Sequence, residues 1–154
     1  MYTDGISRAL PILAQITPMV DAVPKEVPVS ADIPQQSRNC LLYTSLPVRI
    51  LPTDDRMEHC EGVRPVKAAD HAVLDGIDTE WPLILGYNKT IAKPEAVIPV
   101  KVEDNPFIAL GEYGKGRSAA FTTDCSPHWA PPGFCQWPGY GKIFCNLAKW
   151  LTDR

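Results

Sequence analysis

The sequence of 154 residues lacks a long uninterrupted apolar run, so we expect neither a membrane span nor a signal peptide. A membrane-spanning helix needs about 18–20 consecutive apolar residues, whereas the apolar stretch at residues 9–19 is interrupted by Pro11, Gln15 and Pro18. The same stretch lacks the charged flank and the unbroken apolar centre of an export signal. We therefore expect a cytoplasmic protein without a membrane partner.

The sequence also lacks a surplus of basic residues. It has 15 Lys and Arg against 18 Asp and Glu, which gives a formal net charge of -3. Because binding to a phosphate backbone depends on many Lys and Arg side chains, we expect no nucleic-acid partner. The hydrophobic fraction of 45% and the charged fraction of 21% are those of an ordinary folded domain.

Cysteine pairs with metal-ligand spacing are missing as well. Five cysteines stand at positions 40, 60, 125, 135 and 145, and no C-x-x-C occurs. The odd number favours free thiols over a disulfide framework. Cys125 and His128 form one C-x-x-H, and His59 and Cys60 form a second pair, so four zinc ligands would require the fold to bring both pairs together. We expect no metal and no cofactor.

Proline and glycine together exceed their usual share, with 16 and 10 residues respectively. Proline recurs every few residues from Pro11 to Pro34, which excludes a long helix or a central strand there. We therefore divide the chain into residues 1–45, a proline-rich irregular segment, and residues 46–154, a folded unit. Within residues 1–45, Cys40–Tyr43 is expected to be extended.

The folded unit shows several strand and helix signals. Strands are predicted at residues 47–51, 83–87 and 96–102, a polar loop at Glu58–Pro65, and a helical turn that Asp70 begins and Gly76 ends. A hairpin is predicted from residues 106–113 and 117–123. Tyr140–Thr152 is predicted to be a helix. Its apolar residues form one stripe, and Lys142, Asn146 and Lys149 lie on the outward face.

The glycines of the predicted hairpin have a spacing similar to that of a phosphate-binding loop. Gly111, Gly114 and Gly116 have a G-x-x-G-x-G spacing, but a dinucleotide fingerprint requires a helix to follow, and here a strand is predicted. We therefore interpret the segment as a tight turn.

The segment after the hairpin concentrates reactive side chains. Asp124, Cys125, Ser126 and His128 place a carboxylate, a thiol, a hydroxyl and an imidazole within five residues. An imidazole is the usual general base for a thiol nucleophile, and ligands gather at the ends of strands in open α/β sheets. In the alternative interpretation, His128 and Trp129 only fill the edge of the core with satisfied hydrogen bonds.

Four motifs together resemble a known family. The chain is similar to the later half of the putative glutamine amidotransferase family, a branch of the class I glutamine amidotransferase-like superfamily, from about Leu46 to Leu151. The motifs are D-H-x-x-L-x-G-I at 70–77, W-P-L-x-L-G-Y-N at 81–88, G-E-Y-G-K-G-R at 111–117 and F-T-T-D-C-S-P-H-W-A-P-P at 121–132.

The resemblance implies an α/β fold of the flavodoxin-like three-layer type, here incomplete because the N-terminal βα units are missing. It also implies glutamine chemistry, in which a cysteine on a strand-to-helix elbow attacks the side-chain amide and a histidine acts as base. His128 stands where that histidine follows a late strand. The usual H-P-E order is absent, so Asp124 can orient His128 only if the loop folds back.

The nucleophile is the main departure from the family. No G-x-C-x-G elbow occurs in the sequence, and Cys125 is the thiol nearest to the inferred base. Three functions therefore remain open. The first is an amidotransferase-like domain with a small-molecule crevice lined by residues 124–129, in which Asp124, Cys125 and His128 are the candidate catalytic residues.

The second function is a non-catalytic module that binds a ligand or a protein through Trp129 and the aromatic residues that follow it. The third, suggested by a likeness to trehalose-utilisation-type proteins, is metabolite processing with Tyr87 and Asn88 as hydroxyl-binding residues. A truncated or chimeric half-domain also leaves apolar faces and a strand edge uncovered, so we expect self-association into a homo-oligomer.

Overall fold

The computed structural model describes residues 41–78 and 80–153. Most of the predicted irregular segment at residues 1–45, including Cys40, lies outside the described residues. The first described element is a helix at Leu41–Ser45, so the prediction of an extended Cys40–Tyr43 is wrong for its described part. The helix ends before Pro47, because the residue that precedes a proline disfavours helical backbone angles.

The described chain consists mainly of consecutive strands, with one short helix before them, a 3-10 helix between the third and fourth strands and two helices at the end. The strands are β1 (Val48–Ile50), β2 (Arg56–Val63), β3 (Val66–Lys67), β4 (Ile84–Asn88), β5 (Thr90–Ala92), β6 (Val97–Val102), β7 (Asn105–Tyr113) and β8 (Gly116–Phe121). The α-helices are α1 (Leu41–Ser45), α2 (Pro132–Cys135) and α3 (Pro138–Thr152), and a 3-10 helix spans Ala72–Leu74. No helix within residues 41–78 and 80–153 is long and apolar enough to cross a membrane.

The described strands form one sheet and two ribbons. The sheet has the order β3-β6-β7-β8, and the ribbons are β1-β5 and β2-β4. Every strand pair is antiparallel. The α/β class is therefore as expected, whereas the parallel strands of a flavodoxin-like sheet are not found within the described residues.

The predicted hairpin is confirmed. β7 and β8 pair from Ile108↔Phe121 to Tyr113↔Gly116, which leaves a two-residue turn. Gly114 has a φ of 60°, a conformation that glycine adopts without steric cost. A strand on each side of the turn confirms that the glycines do not form a phosphate-binding loop.

Helix α3 covers one face of the sheet, as its apolar stripe predicts. Ile143, Leu147 and Leu151 are buried in the main core, which they share with apolar residues of the sheet such as Phe121. The opposite face carries a smaller cluster of Val48, Ala109, Ala120 and the partly buried Ile98. Because both faces of the sheet are covered, the sequences of β7 and β8 are almost continuously apolar and do not alternate between apolar and polar residues.

Two local predictions are wrong. Glu58–Pro65 was expected to be a loop, but most of it belongs to β2, which pairs with β4 through Met57↔Tyr87 and, after a bulge, Val63↔Ile84. Much of β2 is exposed and therefore polar, so its sequence lacks the apolar pattern that would predict a strand. The helical turn is capped by His71, whose Nδ1 accepts the Val73 N–H at 3.2 Å, and not by Asp70.

Side chains on neighbouring elements hold helix α3 in place. Arg117 of β8 donates to the backbone oxygens of Trp150 and Asp153 at 2.8 and 2.7 Å, and its guanidinium lies 5.1 Å from the centroid of the Trp150 ring. Asn146, which was expected to face outwards, instead donates to the oxygens of Val73 and Asp75. The Arg117 bonds satisfy carbonyl groups at the C-terminal end of α3, and the Asn146 bonds join α3 to the segment of the 3-10 helix.

We predict that Arg117→Ala lowers the free energy of unfolding by about 1–3 kcal/mol, because it removes charged hydrogen bonds to two carbonyl groups and the contact with Trp150. Urea denaturation measures the change. The control is Lys115→Ala in the exposed hairpin turn, which we expect to alter the value by no more than about 0.5 kcal/mol. Equal stability of the two variants would refute the role of Arg117.

Candidate functional site

The loop that follows β8 is hydrogen bonded to β4 along its length. Leu85 donates its backbone N–H to the Trp129 oxygen at 2.7 Å, and Asn88 donates to the Thr122 oxygen at 2.8 Å. Between these bonds, the Thr123 hydroxyl donates to the Gly86 oxygen at 2.7 Å. The loop is thus fixed to β4 at both ends, and its middle, residues 124–128, lies on the surface.

Trp129 packs directly on β4. It is 6% exposed, and a Cβ atom added at Gly86 would lie 2.7 Å from its indole ring. Glycine is therefore required at this position, because any larger residue would collide with the ring. His128 stacks on the same indole, with ring centroids 5.5 Å apart.

Asp124 and His128 form the chemically notable pair of the loop. Asp124 Oδ2 lies 2.7 Å from His128 Nδ1, and the same oxygen accepts the Trp129 backbone N–H at 3.0 Å. The loop therefore folds back, which is the condition under which Asp124 can orient His128. The aspartate side chain is 17% exposed and that of the histidine 69% exposed.

This geometry determines which ring nitrogen of His128 is available to accept a proton. A carboxylate can only accept a hydrogen bond, so the Nδ1 of neutral His128 carries the proton and Nε2 carries the lone pair. An imidazole held by a carboxylate in this tautomer has the arrangement of a general base and its orienting group.

Cys125 and Ser126 lie on the exposed turn between Asp124 and His128. The Cys125 backbone oxygen accepts a hydrogen bond from the hydroxyl of Tyr140, at the start of α3. Burial raises the pKa of Tyr140. Among the described residues the Cys125 thiol has no hydrogen bond to His128, so its role as nucleophile stays a prediction.

The two other predicted ligand residues, Tyr87 and Asn88, are buried with exposed fractions of 0% and 4%. The Tyr87 hydroxyl donates to Glu103 Oε2 at 2.5 Å and accepts from Asn105 Nδ2 at 3.0 Å. Burial and the neighbouring Glu103 carboxylate raise the pKa of Tyr87. The ring of His59 stacks on Tyr87 at 5.9 Å.

Sequence reasoning did not identify this cluster of His59, Tyr87, Glu103 and Asn105. One signal was present, because Glu103-Asp104-Asn105 is a polar turn between two strand patterns. Nothing in the sequence, however, placed it beside β2 and β4.

The aromatic residues that follow Trp129 belong to the core. Phe134 and Trp137 are 0% and 9% exposed, and Tyr140 packs against Phe134 at 5.9 Å. No group of three or more His, Cys, Asp or Glu among residues 41–78 and 80–153 could hold a metal ion. A small apolar cavity, about the size of one water molecule, lies beside β1, β5 and the end of β8, and loop residues 124–129 do not line it.

The comparison with family models identifies one family. The model of the family described as "Putative glutamine amidotransferase" matches residues 31–153, so the match begins before the expected start at Leu46. A comparison with curated protein sequences found no match.

Two solved structures are similar in fold. The cytoplasmic protein STM1381 from Salmonella typhimurium LT2 superposes with a TM-score of 0.71 at 37% identity. The cytoplasmic protein STM3548 from Salmonella typhimurium superposes with a TM-score of 0.72 at 33% identity. Each match covers 77% of this chain and 48% of the other, so this chain spans about half the length of these relatives.

We predict that Gly86→Ala destabilises the protein by about 1–3 kcal/mol, because the new Cβ collides with the Trp129 indole. The near-ultraviolet circular dichroism of the tryptophans should change as well. The matched control is Gly133→Ala in α2, where an added Cβ meets nothing within 4 Å and should leave stability unchanged or slightly raised. An unchanged spectrum for Gly86→Ala would contradict the packing described for Trp129.

We also predict a pH dependence that originates from Tyr87. Because its folded-state pKa is raised, the unfolded chain loses this proton first, and stability should fall as pH rises above about 10. Tyr87→Phe should reduce this alkaline loss, although the lost hydrogen bonds lower stability at neutral pH.

Urea denaturation from pH 8 to 11 measures this dependence. Tyr43→Phe, at a side chain that is 40% exposed, is the control and should follow the parent. The same alkaline slope in Tyr87→Phe as in the parent would refute the prediction.

Proposed function

This chain belongs to the putative glutamine amidotransferase family, and on that premise we propose that Asp124 and His128 are the acid–base part of a site that cleaves a small carboxamide such as the side-chain amide of glutamine. The 2.7 Å contact between Asp124 Oδ2 and His128 Nδ1 carries the proposal. In this role Asp124 orients the imidazole, and His128 Nε2 takes the proton of the attacking nucleophile and returns it to the leaving ammonia.

The surroundings of the pair support this role. His128 is mostly exposed and can meet a substrate, whereas Asp124 is mostly buried and receives a second hydrogen bond from the Trp129 backbone. A carboxylate with two hydrogen bonds is held in one orientation, which is what a positioning group requires. The proposed crevice is lined by residues 124–129, with Trp129 as its apolar wall.

The nucleophile comes from outside this loop. A side-chain thiol on the same short turn rarely reaches the base in an attacking geometry, and the sequence has no G-x-C-x-G elbow. We therefore propose that the half of the family fold which this chain does not match supplies the nucleophile. In that complete arrangement the fold is the flavodoxin-like three-layer type, and we propose a cytoplasmic location because both solved relatives are described as cytoplasmic.

The missing elbow also favours a second candidate, a non-catalytic ligand-binding module that uses the same loop. The two functions differ in turnover: the amidotransferase releases ammonia from glutamine, whereas the binding module does not.

We predict that ammonia release from glutamine requires His128. The assay uses this chain together with the part of STM1381 that it does not match. His128→Ala should reduce the rate to the blank, and Asp124→Asn should lower kcat by roughly 10²–10⁴-fold because it no longer enforces the Nδ1–H tautomer.

The control for this assay is His71→Ala, because His71 caps the 3-10 helix and is not in the loop. It should retain the parent rate. Equal rates above blank for the parent and His128→Ala would remove His128 from the mechanism, and no release by any protein would favour the binding module.

A further inference from the structure

Two of the four family motifs are not used by the proposed site, and the structure brings them together at one end of α3. The motif at residues 70–77 contributes His71, whose ring meets the Trp150 indole in a T-shaped contact with centroids 5.7 Å apart. The motif at residues 111–117 contributes Arg117, whose guanidinium lies 5.1 Å from the centroid of the same indole. The indole is therefore shared by a titratable imidazole and a permanent cation.

The segment that follows His71 is docked on α3 by side-chain hydrogen bonds. Asn146 donates to the oxygens of Val73 and Asp75 at 3.1 and 3.0 Å. Lys142 donates through Nζ to the Gly76 oxygen at 2.7 Å. Val73 is 0% exposed and belongs to the main core, so the segment completes the core only while it is docked.

The protonation state of His71 decides whether it can hold this segment. Its Nδ1 accepts the Val73 N–H at 3.2 Å, so this nitrogen carries a lone pair in the docked state. Protonation places a hydrogen on Nδ1 and removes the acceptor. The Val73 amide then loses a hydrogen bond at the edge of the core, which is unfavourable.

The groups that face His71 also oppose its protonation. Burial lowers the pKa of His71, and the Arg117 guanidinium lowers it further, whereas the Asp75 carboxylate acts in the opposite direction with a smaller effect. Other charged groups on the neighbouring elements are Lys67 and Asp70, which pair with each other, Glu112, which pairs with Arg117, Lys142 and Lys149 on α3, and Asp153 at its end.

We propose that His71 is a pH-sensitive latch, which holds residues 71–77 on α3 while its ring is neutral and releases them when the ring is protonated. Because the pKa of the docked ring is lowered, the released segment binds the proton first as pH falls. Docking is therefore favoured above the ordinary imidazole range near pH 6.5 and is lost as pH falls below it. Release exposes Val73 and Leu74, so acid changes the apolar surface of the molecule.

Hydrogen exchange followed by NMR from pH 7.5 to 4.5 tests the latch. Protection factors, which remove the intrinsic pH dependence of exchange, should fall about fivefold at the Val73 amide, the effect typical of losing an N-cap side chain. His71→Asn should keep its protection over the whole range, because asparagine caps a helix through a side-chain oxygen that does not titrate. Circular dichroism at pH 7.5 checks that the variant is folded.

The matched control is His128→Asn, at a histidine that is 69% exposed and belongs to another loop, and it should show the same fall as the parent. The Thr122 amide, which donates to the Phe107 oxygen, reports on the sheet and should stay protected. An equal fall in the parent and His71→Asn, or no fall in the parent, overturns the proposal. An equal fall at Thr122 also overturns it, because the sheet would then be opening together with the segment.

A second measurement uses the parent protein alone. The side-chain amide of Asn146 loses both of its carbonyl acceptors on release, so its NMR signals should move with the same pH midpoint as those of the His71 ring. Different midpoints for the two side chains would show that protonation and release are not linked and would overturn the proposal. Neither measurement depends on ammonia release, so the latch and the proposed function are tested separately.

Discussion

The packing of Trp129 on Gly86 determines the geometry of the candidate site. The indole occupies the space that any side chain at position 86 would need, and the His128 ring stacks on the same indole. Since the Trp129 backbone also bonds to Leu85 and Asp124, the same residue fixes the loop to β4 and orients the carboxylate. The Asp124–His128 contact therefore depends on a strand that is about forty residues earlier in the sequence.

Local patterns predicted the elements that local chemistry determines. The β7-β8 hairpin follows from two apolar runs around Gly114, and α3 follows from an apolar stripe of helical period. The loop of residues 124–128 was identified as a candidate site because four reactive side chains are adjacent in sequence. The return of Asp124 to His128 could be stated only as a condition, since the fold of the loop depends on β4.

Non-local contacts account for what the sequence did not predict. β2 is polar on much of its surface, and its identity as a strand comes from pairing with β4. Asn146 looked like an exposed residue of α3, but it donates hydrogen bonds to the oxygens of Val73 in the 3-10 helix and of Asp75 just after it. The cluster around Tyr87 joins three segments that are distant in sequence, and no spacing rule connects them.

The two-residue turn of the β7-β8 hairpin has a consequence for how the molecule folds. Contacts between near neighbours form early because they close short loops, and an isolated hairpin forms in about 1–10 μs. The β1-β5 ribbon joins residues such as Val48 and Ala92, so it closes a much longer loop and should be completed later. The strand that leads into the His128 loop would then act as an early template, onto which the more distant segments assemble.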